Sequence, residues 1–168
     1  MVWLPGGKQA SALTVLVATA LACAAPGTAN LPGARAGRQA WASAAARRAA
    51  THTAASLVGT PFRAGGASRT GFDCSGPVVY SYAQAGATGV PHSAALLERV
   101  ATPVPLQGLQ PGDLLFFRLG GRKTTHVALY LGSRSFVHAP SSDKRVERVS
   151  FDDVYWGRRL GRAGRLGQ

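Results

Sequence analysis

"LLFFRLGGRKTTHVALYLGSRSFVHA", residues 114–139, contains three short aromatic and branched runs, at 114–119, 126–132 and 135–139, separated by Gly, Lys, Arg, Thr and Ser. Runs of this composition between turn residues form strands, and tight loops join such strands antiparallel. The turn signal "LQPGD" at 109–113 and a fourth run, "RVERVS" at 145–150, extend the pattern on both sides. The region reads as an antiparallel meander.

Upstream the pattern is helical. "RQAWASAAARRAATHTAASLV", 38–58, is rich in helix formers, stops at Gly59 and is followed by Pro61. Its Arg47, Arg48 and His52 read as a solvated face. Asp73 can cap a helix over 74–85, in which Val78, Val79, Tyr82 and Ala85 share an apolar face and Pro77 falls in the first turn. "SAALLERV", 93–100, reads as a further short helix, and "RAGGASRTG", 63–71, as a loop. Helices first and strands afterwards predict an α+β domain with the helices on one face of the antiparallel sheet. The tail "YWGRRLGRAGRLGQ", 155–168, reads as a last edge strand that frays into a basic end, with 163–168 solvated.

The chain of 168 residues suits one domain with a real core. Its 19 basic and 7 acidic residues give a formal net charge of +12, which suits nucleic acid, an anionic membrane or an anionic wall polymer. The N-terminus narrows that choice. Residues 1–25 carry one positive charge at Lys8, an uncharged run over 10–21 and then small residues, the layout of a secretory signal. The run is too short to cross a bilayer permanently. Cleavage in the Ala-x-Ala region of 22–29 would release a soluble exported protein. "ALAC", 20–23, loosely resembles a lipoprotein processing site, in which case Cys23 would carry a lipid and anchor the chain to the outer membrane. Residues 26–40, rich in Pro, Gly, Ala and Asn, form a flexible linker, and 41–162 the folded domain. The expected location is the periplasm or cell envelope, and export argues against a nucleic-acid partner.

Either fate of the leader removes or consumes Cys23, leaving Cys74 in "TGFDCSGPVVYSYAQAG", 70–86, as a lone thiol in an oxidising compartment. A disulfide between the two would require the leader to be retained. A thiol attacks a carbonyl as a thiolate, which a helix N-terminus and a nearby histidine both favour. Strand geometry tests His126 and His138. A loop of Gly132, Ser133 and Arg134 would place Ala128 opposite His138, making the two histidines diagonal neighbours on one face. A two-residue loop without a bulge would put them on opposite faces. Two such histidines with Cys74 could also ligate zinc, although no fourth ligand stands at a recognisable spacing.

"GTPFRAGGASRTGFDCSGPVVYSYAQAG", "LQPGDLLFFR", "HVALYLG" and "FVHAP", in this order and at these intervals, resemble the NlpC family of bacterial cell-wall cysteine peptidases over roughly residues 45–160. The resemblance implies a papain-like α+β fold with the nucleophile at a helix N-terminus. Carried over by motif, it makes Cys74 the nucleophile, His126 the general base and then acid, and His138 the residue that orients His126. It implies cleavage of peptidoglycan stem peptides between γ-D-glutamate and a diamino acid, commonly meso-diaminopimelate, through an acyl-enzyme. No metal or organic cofactor is implied, and a monomer is expected. Asp73 and Ser75 match the motif and are candidates to hold the amino end of the stem, although Asp73 serves equally well as a helix cap. The chain departs from the family pattern where Phe62 replaces a frequent tyrosine, Pro77 a leucine, His92 a cation and Leu97 a glutamine. Phe62 and His92 therefore enter the substrate-binding candidates with altered chemistry. A wall-binding module that has lost turnover is the rival reading.

Overall fold

In the computed structural model, which describes residues 43–141 and 145–167, the alanine-rich segment forms helix α1, Ala44–Ala55. The signal segment, Cys23 and the whole of the linker region, 26–40, lie outside the described residues. Ser43 caps α1 by accepting the N–H of Ala46 at 3.0 Å. Ala46, Ala50 and Ala54 line its buried face at a spacing of four, and their small side chains let α1 lie close against α2, Gly76–Gln84. The short hairpin β1, Ala67–Ser68, and β2, Gly71–Phe72, leads into α2. Helix α3, Ala94–Val100, follows with Ser93 as its cap.

The sheet is larger than the predicted meander. Strands β3, Thr102–Val104, β4, Leu114–Phe117, β5, His126–Gly132, β6, Ser135–His138, β7, Glu147–Ser150, and β8, Leu160–Arg165, run in the order β3-β8-β4-β5-β6-β7, every pair antiparallel. A single-turn helix, α4, Val154–Gly157, precedes β8. The expectation of helices on one face holds: Leu114, Phe116, Val127 and Leu129 meet Ala50, Ala54, Val78, Tyr82 and Leu97. Leu97 is thus a core residue. The opposite face is also covered, by Leu115, Phe117, Ala128 and Phe136 under Trp156 of α4.

Two readings are corrected. Residues 163–166, expected within a solvated basic tail at the sheet edge, are buried, and β8 lies inside the sheet between β3 and β4. The edge falls instead to β3, whose Pro103 cannot donate to a ladder on both sides. Arg165 is drawn inward by Asp113, with Nε donating to Oδ1 at 2.6 Å and Nη2 to Oδ2 at 2.8 Å. Gly164 permits this placement, since a Cβ there would stand 2.8 Å from that of Ala101. Arg47 is likewise buried, against expectation, because the turn at Gly112 closes over its stem; Gly112 has φ +95° and no room for a Cβ beside Arg47.

The β5–β6 hairpin reaches the predicted register by another route. Ser133 and Arg134, at φ 48° and 54°, make a two-residue turn of the mirror-image type that hairpins favour. Leu131 is bulged out, so Gly132 pairs Ser135 while Tyr130 pairs Phe136 and Leu129 pairs Val137. The bulge supplies the one-residue offset that brings Ala128 level with His138 and keeps both histidines on one face.

Candidate active site

Cys74 enters the site just before α2. The turn ahead of that helix is built by Asp73, whose Oδ1 accepts the N–H of Ser75 at 3.0 Å, the N–H of Gly76 at 2.8 Å and the Ser75 hydroxyl at 3.1 Å. The capping role expected of Asp73 is therefore present in the geometry. Gly76 lets the loop pass: a Cβ there would overlap the carbonyl oxygen of Gly66 and touch the ring of Phe72 at 3.0 Å. Gly76→Ala is expected to destabilise the protein by about 1–3 kcal/mol through overpacking. Thermal unfolding checks this, and an unchanged Tm would mean that the Gly66 loop retreats freely.

The thiol of Cys74 is half-buried and makes a long hydrogen bond, 4.0 Å, to the carbonyl of Thr125, the residue preceding His126. It makes none to an imidazole. The sulfur thus reaches the strand that carries the histidine, without a thiol–imidazole bond in this state. Cys74 is free, and no group of three or more His, Cys, Asp or Glu side chains among the described residues is arranged for a metal.

His126 and His138 do meet. Nε2 of His126 and Nδ1 of His138 lie 2.9 Å apart, and the rings stand nearly perpendicular, at 85°. Both are buried, His138 completely. The pair sits in an aromatic layer, with Trp156 centred 4.3 Å from His138 and 5.2 Å from His126, and Phe136 centred 5.4 Å from His138. Trp156 was not among the sequence candidates, because it lies in the tail segment and has no histidine near it along the chain.

Burial governs the titration of these groups. It pushes the Cys74 thiol up, the Asp73 charge adds to that, and backbone N–H groups of Ser75 and Cys74 oppose it. Burial also pulls His126 down to about 4. His138 is lowered by burial first and by His126 second. Near neutral pH the site therefore rests as a neutral thiol beside neutral imidazoles.

The substrate-binding candidates divide. His92 is drawn to the nucleophile's loop, its Nε2 2.9 Å from Asp73 Oδ1, so Asp73, Ser75 and His92 form one polar cluster beside Cys74. Phe62 does not join it. Its backbone bridges to Phe72 and its ring packs with Leu57, Phe72 and Val137. Glu147 is a residue the sequence reading missed. It stands directly opposite His138 across β6 and β7, with Oε1 3.0 Å from His138 Nε2. No local motif marks it, and only the strand pairing places it there.

Helices on one face of an antiparallel sheet, a cysteine ahead of a helix and paired histidines on neighbouring strands define an α+β protein with a free thiol and a buried imidazole pair on adjoining elements. The model of the NlpC/P60 family matches residues 59–165, and the chain belongs to that family. Over 113 residues it is 39% identical to the murein DD-endopeptidase MepH of Escherichia coli K12, covering 65% of this chain and 42% of that one. It is 34% identical over 110 residues to the gamma-D-glutamyl-L-lysine dipeptidyl-peptidase of Bacillus subtilis 168, covering 64% of this chain and 37% of that protein. Among solved structures, an NLP/P60 family protein of Staphylococcus aureus Mu50, described as similar to lipoprotein, superposes with a TM-score of 0.65 at 30% identity, over 75% of this chain and 43% of that one. In each of the three the matched stretch is less than half of the relative.

Proposed function

We propose that the protein is an exported peptidoglycan hydrolase, a cysteine endopeptidase that cuts stem peptides at the γ-D-glutamyl–diamino acid bond. The observation that carries this reading is the convergence of the Cys74 loop with the buried His126–His138 pair. In the proposed reaction His126 takes the thiol proton as the sulfur attacks the γ-glutamyl carbonyl. The tetrahedral intermediate collapses to a thioester, and the same proton passes to the departing amine. Water, deprotonated by His126, then attacks the thioester, releasing the γ-glutamyl acid and restoring the thiol. Asp73 already holds the N–H groups of Ser75 and Gly76, so the oxyanion falls to the N–H of Cys74 itself. With Oδ1 of Asp73 engaged by the loop and by His92, Oδ2 is the oxygen left to receive the stem's ammonium group. Export rests on the N-terminal segment and belongs to the same proposal, with the periplasm or cell envelope as the site of action and a lipid on Cys23 as the alternative to release in soluble form.

Mass analysis of muropeptides after incubation with the protein tests the reading. The expected product ends at D-glutamate, and His126→Ala should cost more activity than His138→Ala, because the proton carrier contributes more than its orienter. The name of the Escherichia coli relative supports a second reading, a DD-endopeptidase, which would leave the γ-D-glutamyl bond intact and open cross-links instead. Binding to peptidoglycan with no cleaved product would replace both by a wall-binding module.

A further inference from the structure

Resting on the assignment of His126 as base, we propose that Glu147 is a positioning residue that sets the proton arrangement of both histidines, extending the relay to Cys74–His126–His138–Glu147. The tautomers of the two rings are linked. His126 directs Nε2 at His138, so the nitrogen left to take the thiol proton is Nδ1. An imidazole with a bare Nδ1 carries its proton on Nε2 and donates it to Nδ1 of His138. His138 must then carry its own proton on Nε2, the atom nearest Glu147.

That atom is fully buried and has no aligned hydrogen-bond partner in this state. The Glu147 carboxylate is 3.0 Å away but off the direction of the ring N–H. Its side chain is 36% exposed and stands on the edge strand of the sheet. The cross-strand pairing of His138 with Glu147 holds the two backbones level throughout. Trp156 and Phe136, which also flank His138, offer no charge. Among the described residues, His126 from β5 and Glu147 from β7 are thus the titratable groups the geometry brings to His138. Without the carboxylate, His138 is free to hold its proton on Nδ1 and donate it to His126, which places the His126 proton on the very nitrogen that should accept one.

Imidazole ¹⁵N spectra of the folded, full-length chain read this directly. Above the titration range, the unmutated protein is expected to show both rings protonated at Nε2, and Glu147→Ala to move His138 toward the Nδ1–H form. Glu147→Gln, which keeps an acceptor oxygen, should retain the Nε2–H form. A wild-type His138 protonated at Nδ1, or spectra unchanged in Glu147→Ala, would overturn the proposal whether or not the protein turns over substrate. On muropeptides, Glu147→Ala should lose kcat roughly tenfold with little change in KM, and its acid limb should move to lower pH, because a carboxylate that favours the imidazolium is gone. A purely structural role would lower activity without moving that limb. If the tautomers are as expected and no muropeptide is cut, the hydrolase reading fails and the positioning role stands.

Discussion

Cys74→Ala is expected to lower kcat/KM for stem-peptide cleavage by at least about 10⁴-fold while leaving the fold intact, because among the described residues no second thiol stands in the site and the neighbouring Ser75 hydroxyl is engaged by Asp73. The side chain is only half-buried and its hydrogen bond to the Thr125 carbonyl is long, so its loss should scarcely alter Tm. The pH dependence of the unmutated protein follows from the same environment. The proton of the attacking thiol goes to His126, so activity requires that ring to be neutral; with the ring pulled down to about 4, cleavage should persist through mildly acidic pH and fall as pH drops through that value. The thiol is shifted the other way. Alkylation of Cys74 by iodoacetamide should therefore be slow at pH 6 and rise into the alkaline range. A rate that is already on its plateau at pH 6 would instead show a preformed thiolate–imidazolium pair. Residual cleavage by Cys74→Ala above about one part in 10³ would remove the cysteine from the mechanism.

Asp113→Ala is expected to destabilise the protein by about 3–5 kcal/mol, the largest effect on the fold of any single change considered. Asp113 is fully buried and bound through both oxygens to Arg165, and it also accepts the N–H of Gln110 at 2.7 Å. Removing it leaves the Arg165 guanidinium inside the sheet without its carboxylate, with the Gly108 carbonyl at 3.2 Å as its remaining acceptor. The pair ties β8 to the turn before β4, and the same turn is held by the Tyr82 hydroxyl, which donates to the Gly112 carbonyl at 2.8 Å. Damage at Asp113 should therefore loosen α2 as well as the sheet. Urea unfolding reads the loss, and replacing both partners with apolar residues of similar size should recover part of it, since the cost arises mainly from the stranded charge. A Tm within about 2 °C of the parent would mean that Arg165 finds solvent with ease, contrary to its burial.

Much of the site is written in local pattern. Asp73, Cys74 and Pro77 mark a helix start because a short acceptor, a tolerated proline and an apolar face follow one another along the chain. The branched and aromatic run in 126–131 marks a strand for equally local reasons. What local pattern misjudged has one common cause. Glycine and arginine are poor strand formers, so β8 reads as a tail until its partners are known. In the sheet, its glycines admit close neighbours such as Ala101, and its last arginine meets a buried acid fifty-two positions earlier. Arg47 misleads in the same way, since the turn that buries it is remote in sequence.

By itself, then, the amino-acid order determined which segments are helical and extended and that helices cover one side of an antiparallel sheet, because these follow from periodicity, capping and turn residues acting over a few positions; that Cys74, His126 and His138 belong together was implied by the resemblance of the ordered motifs to the NlpC family. The tertiary structure alone decided how the histidines share a face, through a bulge at Leu131 that offsets a two-residue turn. It alone brought Glu147 and Trp156 to His138 and Arg165 to Asp113. Such meetings depend on strand register and on low-dielectric burial, and both come into being only when distant segments pack.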